Sequence, residues 1–394
     1  MKIAYIGDFI NHGKFLAPTG TSIILLLSET PDVEAIDVYC PALNAKSEPF
    51  KKPENVNIIE PYNYNDPISI VKLLKVRRNF YDKIIFNLMP TAFGNNNLSN
   101  LTGLLIPLLL KIIFRKDNIE IIYHNSVYTN DISKLGYDSY YDKLRSLILG
   151  IVEREIFKSV RTFVFLQLYK DRITRKIGDN QLIVLNGRYL EAITTVYVNG
   201  IYDHDYFSLP ATGKLPKILM HGSWGPQKDA EFGLNALIGL RKQGLCFDLI
   251  ISGGINHHFE EYEKKFNLLL EKSNEIVKQY LGLIREADIM DLFTRADLLV
   301  LPYSTPGGRS AVLEQAIFFE VPTIVIDFPE YREQVAGISN VKLVSPDGLQ
   351  FALAGCFDSL ERPREIHISS KIMLARVNIQ RILEDTLYKG NRIT

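Results

Sequence analysis

Cysteine is scarce in this chain. Cys40, Cys246 and Cys356 are the only three in 394 residues, and they lie far apart. That spacing gives neither a disulfide framework nor a zinc site, and it suits a reducing cytoplasm. An excess of charge of either sign is also missing. Lys and Arg total 45, Asp and Glu total 45, and the formal net charge is +0. Bulk electrostatics therefore argue against a general nucleic-acid binder. Long apolar runs are absent too. The most apolar stretch, Leu101–Phe114 (LTGLLIPLLLKIIF), is shorter than a bilayer span and is interrupted by Pro107 and Lys111. It reads as a buried or interfacial helix. The opening MKIAYIGDF is a first strand, without the charged and apolar blocks of a secretory leader. Gly7 and Gly13 lack the Gly-x-Gly-x-x-Gly spacing, which weighs against a nicotinamide dehydrogenase. Low-complexity tracts and internal repeats do not occur, and the Asn95–Asn97 run is only a loop signal.

What is present is alternation. Hydrophobic residues make up 46% of the chain, and the length suits two domains of about 150–200 residues each. A first series of strand candidates comprises Lys2–Ile6, Ala35–Tyr39, Lys83–Asn87, Glu120–His124, Thr162–Leu166 and Thr195–Val198. A second comprises Lys217–Met220, Asp248–Ser252, Ile276–Tyr280, Leu298–Leu301 and Thr323–Ile326. Amphipathic stretches fall between them, as in Leu144–Lys158, Asp229–Gln243 and His258–Lys272. Near-continuous apolar strands alternating with helices predict α/β domains built on parallel sheets covered on both faces. The polar segment Asn199–Lys214 reads as the linker between two Rossmann-like domains.

The most informative segment is Leu298–Ile326, LLVLPYSTPGGRSAVLEQAIFFEVPTIVI. It reads as a buried strand, a glycine-bearing loop over Ser304–Arg309, a helix from Ser310 and a second buried strand. The free N–H groups of such a loop and the positive end of the helix dipole can both face a phosphate. Glu314, one turn inside, is placed to accept hydrogen bonds from sugar hydroxyls. An α/β domain holds a nucleotide in this way at the carboxyl ends of its strands.

This segment resembles the donor-binding signature of GT-B glycosyltransferases, in particular the retaining family 4 type. Pro302, Gly307, Glu314, Ala316 and Pro322 fall on the family pattern. Pro306, Arg309 and Glu320 depart from it, so the Glu-x7-Glu motif is degenerate: Pro306 stands where the first glutamate meets the transferred sugar. The resemblance implies two Rossmann-like domains facing each other across a cleft. Residues 1–205 would be the acceptor domain and residues 206–370 the donor domain, with a C-terminal helix, 371–394, packing back on the first. Asn199–Lys214 is similar to the segment that ends the first domain in that family.

Further residues gain roles by the same resemblance. In KILMHGSWGPQKDAEF, Gly222 and Lys228 match Gly-Arg-x-x-x-x-Lys-Gly, while Ser223 replaces the arginine. Lys228 is then a mobile cation for a diphosphate, although taken alone it is equally a solvated lysine at a helix entrance. Arg309 is expected to replace the cation missing at Ser223. The amides of Gly307, Gly308, Arg309 and Ser310 are expected around the phosphates, with Glu314 on the ribose. Gly253, beside Ser252 and Gly254, and Gly282 would border the nucleotide. Gly20, in FLAPTGT, would lie in a loop under the diphosphate, with Thr19 and Thr21 as donors. His124, at the end of EIIYH, would meet the transferred sugar or the acceptor. His257 and His258 show no metal spacing, and neither a cofactor nor a metal is expected.

The activity implied is transfer of a hexosyl group from a nucleotide-diphosphate sugar to a hydroxyl of a glycan or lipid-linked acceptor, with retention. A non-catalytic GT-B protein that binds nucleotide or partners another glycosyltransferase stays open, as does a sugar-nucleotide epimerase. Lys72–Arg78 and Lys111–Lys116 are basic and apolar together. Such surfaces either touch anionic lipid at the inner membrane face or form solvated helix faces.

Overall fold

The computed structural model describes residues 1–9, 17–42, 52–78, 80–94, 96–115, 117–129, 139–202, 204–209, 215–255, 260–357, 360 and 364–390. The chain divides into two compact units. The first runs to Leu190 and regains the chain from Met373; the second spans Glu191–Ile372.

The first unit is built on a parallel sheet of β1 (Lys2–Ile6), β2 (Ala35–Pro41), β3 (Val56–Tyr62), β4 (Lys83–Leu88), β5 (Ile119–Tyr123), β6 (Arg161–Val164) and β7 (Leu182–Val184). Their spatial order is β3-β2-β1-β4-β5-β6-β7. Every residue of β4 and β5 is buried, as expected of strands covered on both faces. The core joins Phe86, Ile121 and Tyr123 to Leu104 of helix Asn97–Ile112 and to Ile156 and Phe157 of helix Tyr140–Ser159. The apolar stretch Leu101–Phe114 thus lies largely in a helix with one face in the core. Among the described residues no helix is long and apolar enough to cross a membrane.

After β8 (Tyr206–Leu209), the second unit continues with β9 (Lys217–His221), β10 (Asp248–Ser252), β11 (Val277–Tyr280), β12 (Leu298–Leu301), β13 (Thr323–Ile326) and β14 (Val341–Val344). The last six form a parallel sheet in the order β11-β10-β9-β12-β13-β14. Its core packs Met220, Leu249, Val300 and Ile324 against Trp224, Leu234 and Leu237. β8 pairs antiparallel with β15 (Arg364–His367).

In each sheet the strand order reverses once, between β1 and β4 and between β9 and β12. The register there is Ile3↔Lys83 in the first sheet and Leu298↔Ile218 in the second. Connections leave such a switch point in opposite directions, so a crevice opens at the carboxyl ends of its two strands.

Two readings are corrected. Thr195–Val198 is part of helix Leu190–Val198, not a strand. Leu190, Ala192, Ile193, Thr194, Thr195 and Val196 are all buried, and a helix buried on every side shows no 3.6-residue periodicity. The segment Asn199–Lys214 is not wholly linker, because it contains β8; positions 203 and 210–214 lie outside the described residues.

Candidate functional site

At the switch point of the second sheet, three loops are drawn together by glycines. Gly253 has φ +103°, and a Cβ there would lie 1.8 Å from the Gly222 carbonyl oxygen. Only glycine permits that approach. The Gly253 N–H donates to the Gly282 carbonyl at 2.5 Å, and the Gly222 N–H donates to the Ser252 carbonyl at 3.2 Å. Gly222, Gly253 and Gly282 are therefore neighbours at the ends of β9, β10 and β11. Trp224 locks the first loop: its indole N–H donates to the Ser252 carbonyl at 3.0 Å and its backbone N–H to the Gly254 carbonyl at 2.8 Å. Ser223 sits half-buried between them.

Lys228 closes the short turn Pro226–Lys228. Asp229 follows at φ 42° and caps helix Ala230–Lys242 through the Phe232 N–H at 3.1 Å. The Lys228 ammonium rests 3.6 Å from the ring centroid of Tyr303, a contact worth about 0.5–2 kcal/mol. Two further bonds tie this turn to the loop after β12. The Ser304 N–H donates to the Gln227 carbonyl at 3.1 Å, and the Ser304 hydroxyl to the Pro226 carbonyl at 3.3 Å. Lys228 and the glycine bend ahead of Glu314 thus stand on one side of the unit, at the switch point.

The electrostatics there are one-sided. Among the described residues Lys228 makes no ion pair. The Tyr303 hydroxyl and the Gln227 side-chain carbonyl are buried without a hydrogen-bond partner among the described residues. His221 accepts or donates one bond, Nδ1 to the Ser252 hydroxyl at 2.8 Å. Burial, then the Lys228 charge, lowers its pKa to about 4 despite the Ser252 contact. The imidazole is neutral at pH 7, so Lys228 supplies the positive charge.

Arg309 is placed differently. Its Nη1 contacts Glu191 Oε1 at 2.8 Å, its Nε lies 3.7 Å from Glu314 Oε1, and all three side chains are almost fully buried. Gln334 completes the cluster. Its amide N–H₂ donates to Glu314 Oε1 and to the Ser310 carbonyl, both at 2.8 Å, and its Oε1 accepts from the Ser310 N–H at 3.1 Å. The Ser310 hydroxyl caps helix Ala311–Phe318 through the Leu313 N–H at 3.3 Å. Gly307 is exposed, while Gly308 takes φ +112° to turn the chain into that helix.

In the first unit Gly20 lies within helix Ala17–Ser28 and not in a loop, which corrects the expectation; Phe15 lies outside the described residues. A Cβ on Gly20 would sit 2.4 Å from the Asp8 carbonyl oxygen. Glycine here lets the helix approach the end of β1, and Thr19 and Thr21 are buried beside it. His124 follows β5, with Nε2 at 2.6 Å from Asn87 Oδ1 and its ring 4.9 Å from that of Phe165. Gly7 packs on Asn87, so these groups share the first switch point.

Sequence reasoning missed several polar residues. Asp8, which accepts from the Tyr64 hydroxyl, and Asn87 stand directly at strand ends, and that position was the available signal. Glu153 had none: it is wholly buried and accepts from the hydroxyls of Tyr123, at 2.8 Å, and Ser126, at 2.5 Å. Asp205 accepts from the Ser369 hydroxyl at 2.9 Å, and Asp203, His257 and His258 lie outside the described residues. Among the described residues no group of three His, Cys, Asp or Glu side chains could hold a metal ion.

Two α/β units, each on a parallel sheet, make this the GT-B glycosyltransferase fold. Sucrose-phosphate synthase from Thermosynechococcus elongatus is similar over 99% of this chain and 97% of its own, with a TM-score of 0.65 at 14% identity. Anabaena HepE in complex with UDP-glucose is similar over 100% of both chains, with a TM-score of 0.61 at 14% identity. WaaG, a glycosyltransferase involved in lipopolysaccharide biosynthesis, is similar over 96% of this chain and 94% of its own, with a TM-score of 0.58 at 15% identity. No family model matches the chain, and a search of curated proteins finds no match.

Proposed function

We propose that the protein is a glycosyltransferase that uses a nucleotide-diphosphate sugar, with its donor diphosphate bound at the switch point of the second unit. One observation carries this reading: a lysine ammonium over Tyr303, without an ion-pair partner among the described residues, beside the glycine-built bend of a GT-B unit. The HepE structure with UDP-glucose supports a nucleotide sugar as the ligand class.

In this reading the glycosidic C1–O bond to the diphosphate breaks while the acceptor oxygen bonds to C1. The acceptor proton passes to the leaving phosphate oxygen, which makes same-face attack, and hence retention, possible without a protein base. Lys228 and the amides of Gly307 and Gly308 stabilise the charge developing on the diphosphate. Gly222, Ser223, Gly253 and Gly282 shape the nucleotide side, and Glu314 takes the ribose. His124 serves the acceptor, a glycan or lipid-linked hydroxyl. A family 4-like, hexose-transferring enzyme is the finer form of the proposal.

Loss of one charge-assisted contact costs about 1.5–3 kcal/mol, roughly 10- to 150-fold in binding. Lys228→Ala is therefore expected to weaken UDP, GDP or ADP binding at least tenfold in a thermal-shift titration. For the nucleotide that binds, saturation at 100 times its dissociation constant adds about 2.7 kcal/mol of stability. Wild-type donor binding and turnover in Lys228→Ala would overturn the assignment.

A second reading, a non-catalytic nucleotide binder, is favoured by one observation. Glu314 is 2% exposed and already engaged by Gln334 and Arg309, and Pro306 lacks a side-chain donor or acceptor. Donor hydrolysis separates the two: bound nucleotide without release of free sugar across donors supports the binder.

A further inference from the structure

The carboxylates nearest Lys228 in the chain are engaged elsewhere. Asp229 accepts from the Phe232 N–H at 3.1 Å, and Glu231 pairs with Lys265 at 2.7 Å. What Lys228 meets instead is the face of Tyr303, with its ammonium 3.6 Å from the ring centroid. The lysine stem runs beside the first glycine loop, since a Cβ on Gly222 would lie 3.9 Å from Lys228 Cε.

The ring is itself held. Tyr303 is 2% exposed, its centroid lies 5.8 Å from that of Tyr331, and Tyr331 lies 5.8 Å from Phe328. A Cβ on Gly233 would sit 2.7 Å from Pro302 Cγ, so helix Ala230–Lys242 packs against the residue before Tyr303. These contacts and the two Ser304 bonds fix the ring and the cation in one frame.

A carboxylate and an aromatic face can both anchor a lysine, with different consequences. A carboxylate neutralises the ammonium and competes with any incoming anion. A ring attracts the cation through its quadrupole and adds no charge. Anchoring also lowers the ordering cost of a flexible four-carbon stem. We propose that Tyr303 is a positioning residue of the donor site: it holds Lys228 in place and leaves the full charge of the ammonium to the diphosphate. The inference rests on the donor reading and adds to it a residue that this reading leaves out.

Isothermal titration with the nucleoside diphosphate that binds, and with its parent nucleoside, tests it. A cation–π contact corresponds to about 2- to 30-fold in affinity. Tyr303→Leu is expected to weaken diphosphate binding by that factor and to leave nucleoside binding unchanged. Tyr303→Met takes its place should the leucine variant not melt cooperatively by Trp224 emission. Tyr303→Phe keeps the aromatic face and should stay within about twofold of wild type. In Lys228→Ala the ring has no cation to hold, so adding Tyr303→Leu should cost no further affinity. Equal losses for diphosphate and nucleoside, additive losses in the double variant, or Tyr303→Phe as weak as Tyr303→Leu would overturn the proposal. A loss of about tenfold in Lys228→Ala with none in Tyr303→Leu would overturn it and leave the donor reading standing. Wild-type diphosphate affinity in Lys228→Ala would overturn both.

Discussion

Arg309→Ala tests the electrostatic reading of the second unit most directly. The guanidinium stands between Glu191 and Glu314, and all three side chains are 3–7% exposed. Removing it takes the guanidinium away from two buried carboxylates, and breaking a buried pair by deleting one partner costs about 3–5 kcal/mol. At roughly 2–4 °C per kcal/mol for a unit the size of Glu191–Ile372, the midpoint should fall by roughly 6–20 °C. Trp224 makes the measurement specific: it is the only tryptophan of the chain and is fully buried in that unit. Its emission during thermal and urea unfolding reports the second unit alone. Arg309→Lys retains the charge but not the planar fork, so it should recover only part of the loss. Adding Glu191→Gln to Arg309→Ala removes one of the two buried charges and should recover about 1–3 kcal/mol of coupling. A midpoint within 2 °C of wild type, together with a tenfold loss of nucleotide affinity, would refute this reasoning. Arg309 would then be a phosphate ligand, as its place in the motif predicts.

Two other perturbations have clear signs. Burial raises the pKa of Glu153 to about 7 from an ordinary 4.5, against the lowering effect of hydrogen bonds from Ser126, Tyr123 and Val127. The folded state therefore binds the proton more tightly than the unfolded chain. Its stabilising effect is complete below pH 4.5 and is lost as pH rises towards 7. Glu153→Gln should abolish that loss, so its midpoint gains on wild type between pH 4.5 and 7; parallel melting profiles would contradict this. Gly253→Ala forces a methyl group onto the Gly222 carbonyl and should cost about 1–3 kcal/mol or more, read by Trp224 emission. Unaltered melting and nucleotide binding in that variant would show that the loop relaxes freely.

The parts of the fold legible in the sequence are those whose physical cause is local. β4, β5, β12 and β13 are buried along their whole length, so they read directly as apolar runs. β3, β11 and β14 sit near or at sheet edges and are partly exposed; β11 was read, but β3 and β14 have no run long enough to distinguish them from loops. Helix Leu190–Val198 failed for the opposite reason, since it is buried all round and carries no periodic stripe.

The site divides along the same line. Gly222, Gly253 and Gly282 were readable because each sits just past a strand end, where only the backbone constrains the residue. Lys228 was readable because its turn follows β9 at a fixed short distance. Its partner Tyr303 was not, because nothing in a sequence tells an aromatic that ends a buried strand from one that seats a cation. Arg309 shows the limit most sharply. Within Ser304–Ser310 it looks like a phosphate ligand, yet the carboxylate that neutralises it is 118 residues away. A buried guanidinium needs such a partner, because desolvation alone costs several kcal/mol. Glu191 occupies a helix whose end, Thr195–Val198, reads as a strand in the sequence, so the pair could not be assembled from the pattern. The two arginine roles make opposite demands, exposure to an anion or burial beside a carboxylate. Any chain with arginine at the second glycine of this bend should therefore carry a carboxylate facing it wherever the arginine is structural.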